Sequence, residues 1–173
     1  MSLFAFHRSR RLSKTLQASV SAFALAFLGA MPASADEITR SIDVSGTPEA
    51  IWAEIGPFCA IKDWHPAIGI CTEDHATPTT RTLVTKDGKA TFVETETARN
   101  DAKHRYTYTF VESPLPVTHY TATIAVTARS ADVSTVSWSG SYTPDVGKEK
   151  EARDALSGIY QSGLDAIRAK LDY

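Results

Sequence analysis

Residues 81–94 read Arg81-Thr82-Leu83-Val84-Thr85-Lys86-Asp87-Gly88-Lys89-Ala90-Thr91-Phe92-Val93-Glu94. Asp87-Gly88 between two runs of β-branched and aromatic residues signals a two-residue hairpin, because Asp and Gly adopt the positive φ that the turn needs at little cost. The turn fixes the pairing: Leu83 is predicted opposite Phe92, and Arg81 opposite Glu94. Side chains alternate along a strand, so these four are predicted on one face of the sheet.

Outward from the hairpin the strand signal repeats, at roughly 68–74, 80–86, 90–98, 105–112, 118–128 and 133–142, rich in Thr, Val, Tyr and Phe. Upstream, Ile38 to Val44 alternates as a half-buried strand does. Thr47-Pro48 then reads as an N-cap followed by proline at the first helical position, opening a helix through Ile51, Trp52 and Ile55. Gly56-Pro57 ends it, and a second short helix through Phe58 and Ile61 leads to Trp64-His65-Pro66. Beyond Pro144 the period becomes helical, with Ala152, Leu156, Ile159, Tyr160, Gly163, Ile167 and Leu171 on one face. Strand, two short helices, six strands and a long helix predict an α+β domain in which one antiparallel sheet is covered by the terminal helix.

Carried across the sheet, the hairpin register sorts the side chains. Tyr106, Tyr108, Phe110, Tyr120, Ile124, Val126, Val136, Trp138 and Tyr142 fall toward the helix, and Thr82, Thr95, Thr107, Thr109, Thr121, Thr123, Thr135, Ser137 and Ser139 toward water. Arg81, Glu94 and Glu96 then lie on the apolar side, where an unpaired charge costs several kcal/mol. Arg81 and Glu94 are placed to pair inside, or, with the register shifted by one, outside as a surface ion pair worth little, while Glu96 has no basic residue across the strand and is either an internal carboxylate or a strand-end group reaching water. The tyrosines bring hydroxyls that need partners when buried. They satisfy one another, reach the sheet rim, or line a partly polar internal cavity.

The first 35 residues carry Arg8, Arg10, Arg11 and Lys14, then an acid-free apolar run from Ala18 to Ala30, then Ala33-Ser34-Ala35. That is the pattern of a cleavable secretory signal, and it predicts a periplasmic protein whose domain spans 36–173. The run is short for a stable membrane span. Without those residues, 14 Lys+Arg face all 20 Asp+Glu, a net charge of −6. An acidic domain of this kind is a poor nucleic-acid binder and suits, if anything, a basic periplasmic partner. In an oxidising compartment Cys59 and Cys71 are expected to form a disulfide closing the loop that holds Trp64-His65-Pro66.

Several stretches carry a family resemblance: Pro48-x-x-x-Trp52, Trp64-His65-Pro66, Arg81-Thr82-Leu83 before Asp87-Gly88, Phe92-Val93-Glu94, Tyr106-x-Tyr108, Pro114-Leu115-Pro116-Val117-x-x-Tyr120 and Trp138-Ser139-Gly140. From Ile38 to Tyr173 the chain resembles the START-like helix-grip (SRPBCC) superfamily, in its polyketide-cyclase/dehydrase-like branch, which includes small periplasmic proteins associated with methanol oxidation. The resemblance implies a seven-stranded sheet wrapped round the C-terminal helix with an internal cavity. It brings no single catalytic constellation, since members bind lipids, hormones or polyketides or run cyclisations.

The ligand-lining residues expected from this face and loop are Trp64, His65, Arg81, Phe92, Glu94, Tyr106, Tyr108, Tyr120 and Trp138. His65 is a candidate general acid/base, since an imidazole titrates near neutrality, or else it locks its loop. Glu94 is the second candidate for proton transfer, or else a strut for Arg81. Cys59, His65, Cys71 and His75 can be drawn as a metal quartet, but they lack ligand-pair spacing and the disulfide competes for both sulfurs. No phosphate loop, nucleophile elbow or zinc-protease motif points to a cofactor. The expected function is therefore binding of a small hydrophobic molecule, with a cyclase- or dehydratase-type enzyme and an interaction partner of a periplasmic oxidase or cytochrome as alternatives.

Overall fold

A computed structural model describes Met1 and residues 35–172. The expected secretory segment therefore lies, apart from those end residues, outside the described residues. Seven antiparallel strands form one sheet. They are β1 (Asp36–Ser45), β2 (Ile68–Asp74), β3 (Thr80–Thr85), β4 (Thr91–Asn100), β5 (Arg105–Glu112), β6 (Val117–Ala128) and β7 (Val133–Pro144). The order across the sheet is β1-β7-β6-β5-β4-β3-β2, so each strand from β2 to β7 lies beside its chain neighbour and β1 closes on β7. Helices α1 (Pro48–Ile55) and α2 (Ile61–Trp64) follow β1, and α3 (Glu149–Leu171) ends the chain. This is the predicted helix-grip α+β architecture.

The hairpin register is the one read from Asp87-Gly88, with Arg81 opposite Glu94 and Leu83 opposite Phe92. The turn itself is longer than two residues, because the last cross-strand backbone bond runs from Thr85 N–H to the Ala90 carbonyl at 3.0 Å, and Gly88 N–H donates to the Thr85 carbonyl within the turn at 2.9 Å. Asp87 Oδ1 accepts from the Thr85 hydroxyl at 2.6 Å and from Lys89 N–H at 3.1 Å, and these side-chain bonds hold the wider turn. Widening it symmetrically leaves the register unchanged.

Inside-outside alternation holds across most of the sheet and breaks at bulges. One lies between Glu96 and Ala98 on β4, after which Arg99 instead of an even-numbered residue faces inward, opposite Tyr106. Across the strand Glu96 faces Tyr108 and so has no basic partner there, as expected; the shift instead brings it one from its own strand. Arg99 Nη2 reaches Glu96 Oε2 at 2.7 Å and also donates to the Gly56 carbonyl at 3.0 Å, tying β4 to the end of α1.

Helix α1 begins as its sequence dictates, with Thr47 Oγ1 accepting from Ala50 N–H at 3.3 Å and Pro48 in the first turn. It buries Ile51, Trp52 and Ile55 and is pinned by Trp52 Nε1–H donating to Asp101 Oδ1 at 3.0 Å. Helix α3 buries Ala152, Leu156, Tyr160, Gly163, Leu164 and Ile167 against the sheet. Each large apolar side chain buried there contributes about 1.5–3 kcal/mol relative to exposure. Cys59 and Cys71 are joined, with Cα atoms 5.6 Å apart, so the 3-10 turn Phe58–Ala60 is fastened to edge strand β2. No helix among the described residues is long and apolar enough to cross a membrane.

Candidate functional site

Between α3, the 58–68 segment and the inner faces of β3 to β7 lies a cavity of about 170 Å³. Its walls are aromatic: Phe92, Tyr108, Phe110, Tyr120 and Trp138. Ile61, His65, Ala67 and Ile68 form one side, Leu83, Thr85 and Glu94 another, and Leu156 and Ile159 of α3 a third. Exposed Ala67 and half-buried Thr85, Phe92, Phe110 and Ile159 mark its outer end, while Tyr108, Tyr120, Trp138 and Leu156 are deep.

The alternation of β5 and β6 aims their rings at one another. Phe110 stacks on Tyr120 with centroids 3.8 Å apart and planes at 9°. The hydroxyls of Tyr108 and Tyr120 are satisfied among rings, one of the alternatives left open by the sequence, whereas those of Tyr106 and Tyr142 are buried with no partner among the described residues. Trp138 Nε1–H donates to Tyr108 Oη at 3.0 Å, Tyr108 Oη is 3.3 Å from Tyr120 Oη, and Tyr120 Oη is 2.7 Å from Tyr160 Oη. Burial pushes the phenols of Tyr108 and Tyr120 well above their ordinary value, and raises Tyr160 too. All three stay neutral at physiological pH.

Tyr160 reaches this chain because Gly140 has no side chain: a Cβ there would stand 2.4 Å from the Tyr160 hydroxyl. Its ring lies flat on Trp138 at 4.4 Å.

Glu94 is the carboxylate on the cavity wall. Arg81 Nε donates to its Oε2 at 2.6 Å, both groups being buried, and Arg81 Nη1 donates to the Phe58 carbonyl. The guanidinium carbon lies 4.0 Å from the centre of the Phe58 ring and 5.1 Å from that of Tyr108. Burial pushes the Glu94 carboxyl above the ordinary carboxylate range, against the opposing pull of the Arg81 guanidinium. For Arg81, burial works against the charge, but Glu94 more than offsets it and the pKa rises. Arginine does not give up its proton in any accessible range, so carboxylate Glu94 is its compensating charge.

His65 is locked rather than free. Its Nδ1 accepts from Ala67 N–H at 3.2 Å, which leaves Nε2 as the protonated nitrogen, donating to the Ile159 carbonyl of α3 at 3.1 Å. Burial depresses its pKa, with the charges of Arg81 and Lys86 adding to the effect and the Ile159 carbonyl opposing it. A proton transfer through His65 would break one of the two bonds that hold the 64–67 segment to the helix and to itself.

Of the residues singled out in the sequence, His65, Phe92, Glu94, Tyr108, Tyr120 and Trp138 come together on the cavity wall. Trp64, Arg81 and Tyr106 do not. Trp64 turns beneath α3 and meets Trp138 edge-on at 5.8 Å, Arg81 stands behind Glu94, and Tyr106 packs on Trp52 and Phe58 at 5.8 and 5.4 Å. Sequence reasoning missed Ile61, Ile68, Leu83, Phe110, Leu156 and Ile159 as wall residues, since apolar positions look alike whether they face a cavity or a packed core. The disulfide consumes both sulfurs of the drawn metal quartet, and His75 is mostly exposed beside Glu73. Among the described residues no cluster of three or more His, Cys, Asp or Glu is placed to hold a metal.

A family profile described as polyketide cyclase / dehydrase and lipid transport matches residues 35–172. Among curated proteins none matches the chain. Among solved structures, the protein XoxI from Bacillus cereus is similar at 34% identity over 78% of this chain and 94% of its own, with a TM-score of 0.73. An uncharacterized protein from Bacillus thuringiensis is similar at 34% identity over 78% of this chain and 98% of its own, also at 0.73. Norcoclaurine synthase from Thalictrum flavum, solved with dopamine and hydroxybenzaldehyde, is 18% identical over 79% of this chain and 86% of its own, with a TM-score of 0.64, a likeness of fold alone.

Proposed function

The chain belongs to the polyketide cyclase / dehydrase and lipid transport family, and from that membership and the cavity's geometry we propose that it binds one small, mainly apolar molecule between α3 and the sheet. The observation that carries the reading is the cavity itself: about 170 Å³ of space, walled by aromatic rings, within the hydrophobic core. An engineered apolar cavity of ~150 Å³ in another protein accepts benzene, so the natural occupant here is a single-ring molecule rather than a lipid or an extended polyketide. The acid-poor N-terminal segment and the disulfide support action in the periplasm, where such a bridge persists.

Native mass spectrometry of the protein isolated from its own cells tests this. A bound species of single-ring mass is expected; a protein that is empty and takes up no ring-sized molecule contradicts it.

A second reading is an enzyme of the cyclase or dehydratase type. The observation favouring it is that Glu94 Oε1 receives no hydrogen bond from any described residue, leaving a carboxylate oxygen for proton transfer. It requires that Glu94→Gln abolish turnover at a temperature where the variant is still folded. A lower melting temperature with turnover retained leaves binding as the function.

A further inference from the structure

Glu94 offers the cavity an acceptor that no described residue fills. Its Oε2 is taken by Arg81 Nε at 2.6 Å, and among the described residues nothing donates to Oε1. Arg81 is fully buried behind it and does not reach the cavity, so an occupant meets the carboxylate and not the guanidinium. The other polar groups nearby are already engaged. His65 spends Nε2–H on Ile159 and its Nδ1 lone pair on Ala67, and Trp138 N–H is spent on Tyr108, whose hydroxyl joins Tyr120 and Tyr160.

We propose that Glu94 is the specificity-determining residue of the cavity, selecting a neutral ring-sized molecule that carries a hydroxyl donor, a phenol or a cyclic alcohol, over molecules of the same shape without one. The inference rests on the ligand-binding reading above and names its ligand class. An ionised carboxyl group is acceptor-only, so it rewards an O–H and repels the lone pairs of an ether, a ketone or a carboxylate. An ammonium ligand would add an uncompensated charge to a site where Arg81 and Glu94 already cancel. In a purely apolar cavity the ranking runs the other way, because a hydroxyl loses its water bonds and gains nothing. The order of phenol and toluene therefore reports on the acceptor rather than on the room.

The test is isothermal titration of the purified protein with phenol, anisole and toluene at neutral pH, repeated on the Arg81→Met/Glu94→Leu double variant, in which the buried pair is replaced by apolar groups. The wild type is expected to bind phenol about tenfold or more tighter than anisole or toluene, and the double variant to prefer toluene. Toluene or anisole binding the wild type as tightly as phenol overturns the role of Glu94 while leaving the cavity reading intact. A phenol preference that survives in the double variant also overturns it, assigning the acceptor to a tyrosine hydroxyl. If the double variant does not fold, the wild-type ranking decides alone. Failure of all three compounds to bind the wild type overturns the ligand-binding reading and this inference with it.

Discussion

His65 Cδ2 lies 2.7 Å from the point where a Cβ on Gly163 would stand, with Trp138 Cζ3 at 2.9 Å and Trp64 Cζ3 at 3.1 Å from the same point. The middle of α3 is therefore the floor on which Trp64, His65 and Trp138 rest.

Gly163→Ala is expected to destabilise the protein. Alanine gains about 1 kcal/mol over glycine in a helix, but three rigid rings must shift, an overpacking cost of about 1–3 kcal/mol or more. Gly158, on the same helix, has nothing within 4 Å of its would-be Cβ, so Gly158→Ala should raise stability by about the propensity gain. Urea unfolding of the two variants should give opposite signs.

Breaking the buried ion pair from one side should cost more than removing it whole. Glu94→Ala strands the fully buried Arg81 and is expected to lose about 3–5 kcal/mol. Arg81→Met/Glu94→Leu leaves only the Phe58 carbonyl without its donor and should be the more stable of the two. Equal or reversed midpoints in denaturant would show that the pair is not the strut described.

Acidification should weaken the fold through His65. Burial holds its pKa below the ordinary 6.5, so between those two values the unfolded chain binds a proton that the folded chain refuses. The contribution is fully present above pH 6.5 and is lost as pH falls through the folded value. The melting temperature of the wild type should drop more between pH 7 and pH 5 than that of His65→Gln. Parallel curves would assign the drop to other groups.

The disulfide closes a loop with a sequence separation of 12, which by chain entropy stabilises by about 3 kcal/mol. Cys59→Ala/Cys71→Ala should lower stability on that scale. Because the same loop carries Ile61, His65, Ala67 and Ile68 of the cavity wall, it should also weaken binding of ring-sized ligands. Unchanged affinity in the reduced or substituted protein would separate the loop's covalent tie from the shape of the cavity.

The register of the sheet was legible because Asp87-Gly88 fixes a pairing locally and strict alternation carries it across Tyr106, Tyr108, Tyr120 and Trp138. Thr47-Pro48 announced α1 for the same reason, a local chemistry with one outcome. The β4 bulge was not legible, since one inserted residue leaves no mark in a strand of Thr, Glu and Ala, and with it went the inward turn of Arg99. Nor was the part played by α3. Its apolar stripe shows which face is buried, but not that the Ile159 carbonyl meets His65 or that Tyr160 closes the hydroxyl chain. The available signal was Gly163 itself, a helix-weakening residue in the centre of that stripe.

The central claim is that the space between α3 and the sheet takes a ring-sized molecule. Titrating toluene into protein labelled at Ile, Leu and Val methyl groups, and following the methyl resonances, tests it most directly. Saturable shifts are expected at Ile61, Ile68, Leu83, Leu156 and Ile159, with Ile38 and Ile51 unmoved. Shifts that never saturate, or that gather on exposed Ile70, Val111 and Val146 and leave the cavity methyls still, would contradict it.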